Sequence, residues 1–286
     1  MHSHKTLVAP GVEIAYEVDD FSDGWTDAPA VIMMHGIAES AEAFKGWVPH
    51  LARGARVIRV DLRGYGGSSP VDEHAPLAIA DLADDIAALV KSLGLASVHL
   101  IGAKLGAQVA LELAQRAPEW LASMTLAGVL ISPGGALGKW VPQWIELVDA
   151  RGVRGWAEAT MPGRMGGSLS EAAMAWWTDY MGQASADTVK ACFRMLPRMA
   201  EPAALEKIAC PTQVIVAVAP AKPGSFDQRQ PAAEVARWQR RIPGSVLVEL
   251  QADSYHIAAT HPDECAEIAR RFIERTASAP LAIPQS

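Results

Sequence analysis

The chain has 286 residues, 50% hydrophobic and 20% charged, with a formal net charge of −7. That apolar content suffices for a packed core and excludes general disorder, while the acidic balance excludes a nucleic-acid partner. No run reaches the ~18 apolar residues of a membrane helix, and the opening six residues lack the apolar stretch of a signal peptide, so no membrane partner and a cytoplasmic location are expected.

The start, with His2 and His4, reads as a loose terminus. Val12 to Val18 alternates like a strand, and Ala30-Val31-Ile32-Met33-Met34 is a continuous apolar run typical of a strand buried on both faces. His35-Gly36 ends that run, and a helix is expected from Ala41 to Arg53. Ala55 to Val60 is the next strand, closed by Asp61-Leu62-Arg63-Gly64-Tyr65-Gly66-Gly67-Ser68. Leu77 to Leu93 carries apolar residues at helical spacing, with Gly94 as its stop. Val98-His99-Leu100-Ile101 is a third buried run; it enters Gly102-Ala103-Lys104-Leu105-Gly106 and a helix from Ala107 to Arg116. Leu121 to Leu130 is a further strand candidate. Strand alternating with helix at this frequency predicts an α/β fold with a mostly parallel sheet covered on both faces.

From Pro133 to Ala200 the pattern turns helical, and five of the nine tryptophans and six of the ten methionines fall there. Strands at Val214–Val218 and Val246–Leu250 and helices at Ala232–Arg241 and Pro262–Thr276 then resume the alternation, before a loose Pro/Ala-rich tail. The expected division is a first half of the core over 1–132, a helical lid over 133–200, and a second half of the core with its tail over 201–286. Cys192, Cys210 and Cys265 are odd in number and far apart, which reads as reduced thiols. With no HxxxH or HExxH either, no metal and no cofactor are expected.

The chemistry concentrates at the strand ends. Gly102-Ala103-Lys104-Leu105-Gly106 lies between a buried strand and a helix, as a nucleophile elbow does: small residues on both sides allow a sharp turn that exposes the central side chain and aims the Leu105 N–H at a developing oxyanion. His35-Gly36 places the Ile37 N–H as a second such donor, with His35 supporting the loop, and Ser254-Tyr255-His256 follows the last strand.

In this order and spacing the chain resembles the α/β-hydrolase superfamily over about residues 8 to 275, with the helical stretch as its cap. The resemblance implies a hydrolase fold, an oxyanion hole at Ile37 and Leu105, elbow glycines at Gly102 and Gly106, and a catalytic histidine at His256. It also implies a structural loop around Asp61, Arg63 and Ser68. Two positions depart from the family pattern. Lys104 stands where Ser, Cys or Asp serves as nucleophile, and the strand ending at Val218 is followed by Ala219-Pro220-Ala221-Lys222-Pro223-Gly224, with no acid. Asp227 and Asp253 are the remaining candidates for that acid, Asp253 being more at home in solvent.

Lysine at an elbow changes the chemistry on offer. An acylated lysine is an amide and does not turn over as an ester does, whereas a neutral amine can form a Schiff base or take a proton. A helix N-terminus lowers a lysine by less than one unit (about 0.3–1 kcal/mol), but burial can lower it by up to ~3–5 units from ~10.4. An apolar roof containing Trp140, Trp144, Trp176, Trp177 and Met181 would supply that burial. Glu39 and Ser40, just past the oxyanion loop, are expected to face solvent. The leading expectation is a cofactor-independent enzyme acting on a small, partly apolar carbonyl compound, with Lys104 as amine nucleophile or base and His256 moving protons in carbon–carbon cleavage or decarboxylation. Three alternatives remain: hydrolysis by water that His256 activates, a serine hydrolase with lysine introduced at its elbow, and a ligand-binding protein that has lost the chemistry. A homodimer is left open.

Overall fold

The computed structural model describes residues 3–74, 76–220 and 229–277. The opening Met1 and His2, Asp227 and the Pro/Ala-rich tail from residue 278 lie outside the described residues. Eight strands form one sheet: β1 (Ser3–Ala9), β2 (Val12–Asp19), β3 (Ala30–Met34), β4 (Arg56–Val60), β5 (Val98–Ala103), β6 (Leu121–Ala127), β7 (Thr212–Ala217) and β8 (Val246–Leu250). Their order is β1-β2-β4-β3-β5-β6-β7-β8, antiparallel at the first two pairings and parallel from β4 onward. Every residue of the central strands β3 and β5 is buried, as their unbroken apolar runs require. This is the α/β-hydrolase fold.

The α-helices are α1 (Val48–Leu51), α2 (Ile79–Ser92), α3 (Leu105–Gln115), α4 (Pro133–Leu137), α5 (Val141–Met165), α6 (Glu171–Gly182), α7 (Ala186–Met195), α8 (Ala232–Gln239), α9 (Ile257–Thr260) and α10 (Pro262–Ala277). Leu82, Ile86, Leu89 and Val90 of α2 are buried at helical spacing, and the helix stops before Gly94, whose φ of +64° suits glycine. One face of the sheet packs Phe44, Trp47 and Leu51 against Ala266, Ala269 and Ile273 of α10. The other face carries α2, α3 and the helices α4 to α7, which lie between β6 and β7.

Two expectations are corrected. His4 is not in a loose terminus: β1 pairs with β2, His4 opposite Tyr16, and their rings stack 5.3 Å apart. That order comes from cross-strand pairing, which no local pattern in Ser3–Ala9 announces. The helix expected over 41–53 is a 3₁₀ segment, Ala41–Trp47, followed by the single turn α1, with Pro49 at the join.

The topology creates the site. β3 and β5 are neighbours with Met34 opposite Gly102, so the loops leaving them, at Gly36 and Lys104, emerge side by side. β8 is an edge strand, yet His256 reaches the centre because its loop crosses over the end of β6. Gly128, at φ +60°, leaves room there: a Cβ would stand 2.7 Å from the Tyr255 carbonyl oxygen.

Candidate active site

Lys104 has φ +52° and ψ −104°, a left-handed conformation that costs a non-glycine residue ~1–3 kcal/mol. The glycines around it make the turn possible. A Cβ on Gly102 would stand 2.5 Å from the Gly106 carbonyl oxygen, and one on Gly106 would strike the Met34 backbone. The side chain is thrust out of the β5–α3 turn into the space beneath α5 and α7, where it is buried.

There it meets a partner the sequence did not single out. Lys104 Nζ donates to Glu39 Oε1, and the same oxygen lies 2.9 Å from His256 Nε2. Glu39 is buried, and its second oxygen accepts the Gly36 N–H at 3.1 Å. One carboxylate therefore joins the elbow, the oxyanion loop and the histidine. Burial alone would raise the Glu39 carboxyl; the Lys104 charge and the hydrogen bonds from His256 and Lys104 overcome it and hold the group well below its usual range. Burial, only partly offset by Glu39, pushes Lys104 down to about 8 and His256 down to about 4. At pH 7 the cluster is thus a lysine ammonium, a carboxylate and a neutral imidazole whose Nε2–H points at Glu39. Lys104 is buried as expected, but as one half of an ion pair and not as a lone amine.

Gly36 is what lets this cluster form, since a Cβ there would stand 2.5 Å from Lys104 Cε and 2.7 Å from Glu39 Oε1. His35 is buried with both nitrogens engaged: Nδ1–H donates to the Gly36 carbonyl at 2.7 Å and Nε2 accepts the Leu62 N–H at 3.0 Å. Asp61 accepts the Ala41 and Gly67 N–H groups, so this carboxylate braces the loops. Tyr180 of α6 accepts the Ser40 N–H at 2.6 Å and ties the oxyanion loop to the helices above. Neither the Ile37 nor the Leu105 N–H donates to an acceptor among the described residues, and both residues line the cavity.

Asp253 does not support His256. Its carboxylate accepts the Gly167 N–H at 2.9 Å, because the turn after α5 presents that donor to it. The atom beside His256 Nδ1 is Met165 Sδ, at 3.3 Å.

A small cavity lies between the elbow and the helices; its non-atom space is about 580 Å³ when the open solvent at its mouth is counted. Trp144 lines it, as expected, together with Trp156, Leu137, Phe193 and Met199. Trp140 and Trp176 do not: Trp140 packs, partly buried, against the hydrophobic core, and Trp176 is half exposed, stacked on Tyr180. Trp177 stands edge-on to His256, ring centroids 5.1 Å apart, and Met181 Sδ receives Arg164 Nη1 at 3.8 Å, so both back the polar groups from outside the cavity. Arg164, in the cavity wall, was missed. The signal was present: Val153, Trp156, Thr160 and Arg164 recur every three or four residues, which puts a cation on the buried face of α5.

The family described as "alpha/beta hydrolase fold" matches residues 29–194. The protein named "Putative carbamate hydrolase RutD" of Variovorax paradoxus is 36% identical over 148 residues, 50% of this chain and 53% of that protein. Epoxide hydrolase B of Mycobacterium tuberculosis is 30% identical over 136 residues, 47% of this chain and 38% of that protein. The chain thus spans about half, or less, of the length of these relatives. Among solved structures, a thermophilic esterase from Thermogutta terrifontis superposes with a TM-score of 0.82 at 23% identity, covering 96% of this chain and 99% of that one. An enol-lactonase from Burkholderia xenovorans LB400 gives 0.81 at 20% identity, covering 94% and 99%.

Proposed function

The chain belongs to the α/β-hydrolase fold family, and from that premise we propose that it hydrolyses a small, partly apolar carbonyl compound with water, not a side chain, as the nucleophile. The contact of Lys104 with Glu39 carries this reading. A lysine held as an ammonium has no lone pair with which to attack, and it is an electrophilic partner for a carbonyl oxygen.

In this reading the substrate oxygen lies against the Ile37 and Leu105 N–H groups and a hydrogen of Lys104. Water attacks the carbonyl carbon, and its proton passes to the Glu39–His256 pair. As Lys104 shifts its hydrogen bonds toward the oxyanion it loosens its hold on Glu39, which raises the affinity of that carboxylate for the proton. The tetrahedral intermediate collapses, the leaving group takes a proton from Lys104, and the proton held by the Glu39–His256 pair restores the ammonium. The named activities of the relatives, carbamate and epoxide hydrolysis, agree with a hydrolytic class and leave the bond open.

The test is a single turnover in ¹⁸O-water with an activated butanoate ester, followed by mass analysis of the protein. Label in the acid and an unmodified chain are expected. Mass added at Lys104, trapped with or without borohydride, would overturn the reading in favour of amine catalysis. Absence of turnover on any ester, amide or lactone would favour a binding protein.

A further inference from the structure

Arg164 is a buried cation whose position the reaction above leaves without a purpose. It is only 4% exposed and lines the cavity with Lys104. Its Nη2 donates to Thr160 Oγ1 at 2.7 Å, its Nη1 reaches only the sulfur of Met181, and its guanidinium lies 4.3 Å over the Trp156 ring. No carboxylate pairs with it among the described residues, and its Nε has no hydrogen-bond partner there. The titratable groups that act on it are Glu39, Lys104, His256 and the neutral phenol of Tyr255; Glu39 is already committed to Lys104 and His256. The indole Nε1 of Trp156, in the same wall, is a second buried donor without an acceptor.

The site therefore holds two cations against one carboxylate, inside walls made of Trp144, Leu137, Phe193 and Met199. A buried guanidinium resting on an aromatic face recovers part of its lost hydration, but the open Nε–H and the surplus charge remain. What completes such a site is a single negative charge that can accept hydrogen bonds. With Glu39 already set against one of the two cations, the surplus is a single positive charge, which suits a monoanion better than a doubly charged phosphate.

Resting on the hydrolytic reading above, we propose that the substrate is a monocarboxylate with an apolar body, its carboxylate seated on the Arg164 guanidinium and its scissile carbonyl at Lys104. The apolar walls hold the body between these two ends. Arg164 is then a specificity residue that selects and orients substrate without touching the bond that breaks.

The experiment measures equilibrium binding, with no turnover required. Hexanoate, benzoate and phenylacetate are compared with their primary carboxamides by calorimetry on the intact protein, wild type and Arg164→Met. Wild type should bind at least one of these carboxylates tenfold or more tightly than its carboxamide, and Arg164→Met should remove most of that preference. The methionine keeps the backbone carbonyl that holds the histidine loop, and because it removes an unpaired buried charge its melting temperature should not fall. Equal binding of acid and amide by wild type, or an undiminished preference in Arg164→Met, overturns the proposal. Should the methionine variant fail to fold, Arg164→Lys is read in its place: a reduced preference is expected, and an undiminished one overturns it. Failure here leaves hydrolysis of neutral esters untouched, and failure of the ¹⁸O experiment leaves this binding preference untouched.

Discussion

Glu39 Oε1 and His256 Nε2 lie 2.9 Å apart, and that oxygen also receives Lys104. Three loops from different parts of the chain end on one atom. Replacing Glu39 by Gln should cost both activity and stability, because it strands the Lys104 ammonium in a dry site beside Arg164. Breaking a buried pair from one side typically costs about 3–5 kcal/mol. Urea unfolding should register that loss, and kcat should fall ~10²-fold or more. Wild-type stability in the variant would show that the ion pair is worth nothing to the fold.

The pH dependence of the reaction separates ammonium from amine. With Lys104 pushed down to about 8, kcat/KM for hydrolysis should decline as pH rises through 8, because the proton that polarises the carbonyl is lost. An amine catalyst would gain over the same interval. A rate that climbs from pH 7 to 9 on a substrate of pH-independent reactivity contradicts the proposed role.

Stability should fall on acidification for a different reason. Burial lowers His256 and His99 each to about 4 and lowers His35 as well. A histidine whose folded pKa lies below its unfolded value binds fewer protons when folded, so stability decreases as pH drops from 6.5 toward 4. His256 alone corresponds to up to about 3 kcal/mol at 1.36 kcal/mol per unit. Urea midpoints that stay flat from pH 7 to 4 would refute it.

Gly36→Ala is the smallest change aimed at the cluster. The added methyl would sit 2.5 Å from Lys104 Cε and must displace that side chain or Glu39. A stability loss of about 1–3 kcal/mol is expected, as for overpacking elsewhere, with a larger proportional loss in kcat than in unfolding midpoint. Crystallographic or spectroscopic evidence of an undisturbed Lys104–Glu39 pair would contradict it.

Lys104→Ser should yield little esterase activity. A serine there could approach His256, but Nδ1 of that ring faces Met165 sulfur, and the carboxylate lies at the other nitrogen. A serine–histidine pair needs its acid at Nδ1 to hold the productive tautomer. Brisk hydrolysis of 4-nitrophenyl butanoate by the variant would point instead to a serine hydrolase with lysine introduced at the elbow.

The unbroken runs at 30–34 and 98–101 mark the central strands because two-sided burial leaves its trace in every residue. The elbow was legible for the same kind of reason: close backbone approach admits only small residues at Gly102 and Gly106. Glu39 was not, since nothing local distinguishes a carboxylate in a four-residue turn from one in water; its partners arrive from β5 and β8. Asp253 misled through proximity along the chain, and its true partner, Gly167, comes from the far side of α5. The edge strand β1 was lost because its order is supplied by β2.

The backbone carbonyl of Arg164 accepts both the His256 N–H, at 3.1 Å, and the Ser254 hydroxyl, at 2.9 Å. The last turn of the roof helix is thus a latch on the histidine loop. If the roof swings up at that end to admit a molecule, the latch opens and the histidine is released with it; the ring regains its place only when the roof has come down. Any displacement of that helix end would therefore act on the histidine as directly as on the roof.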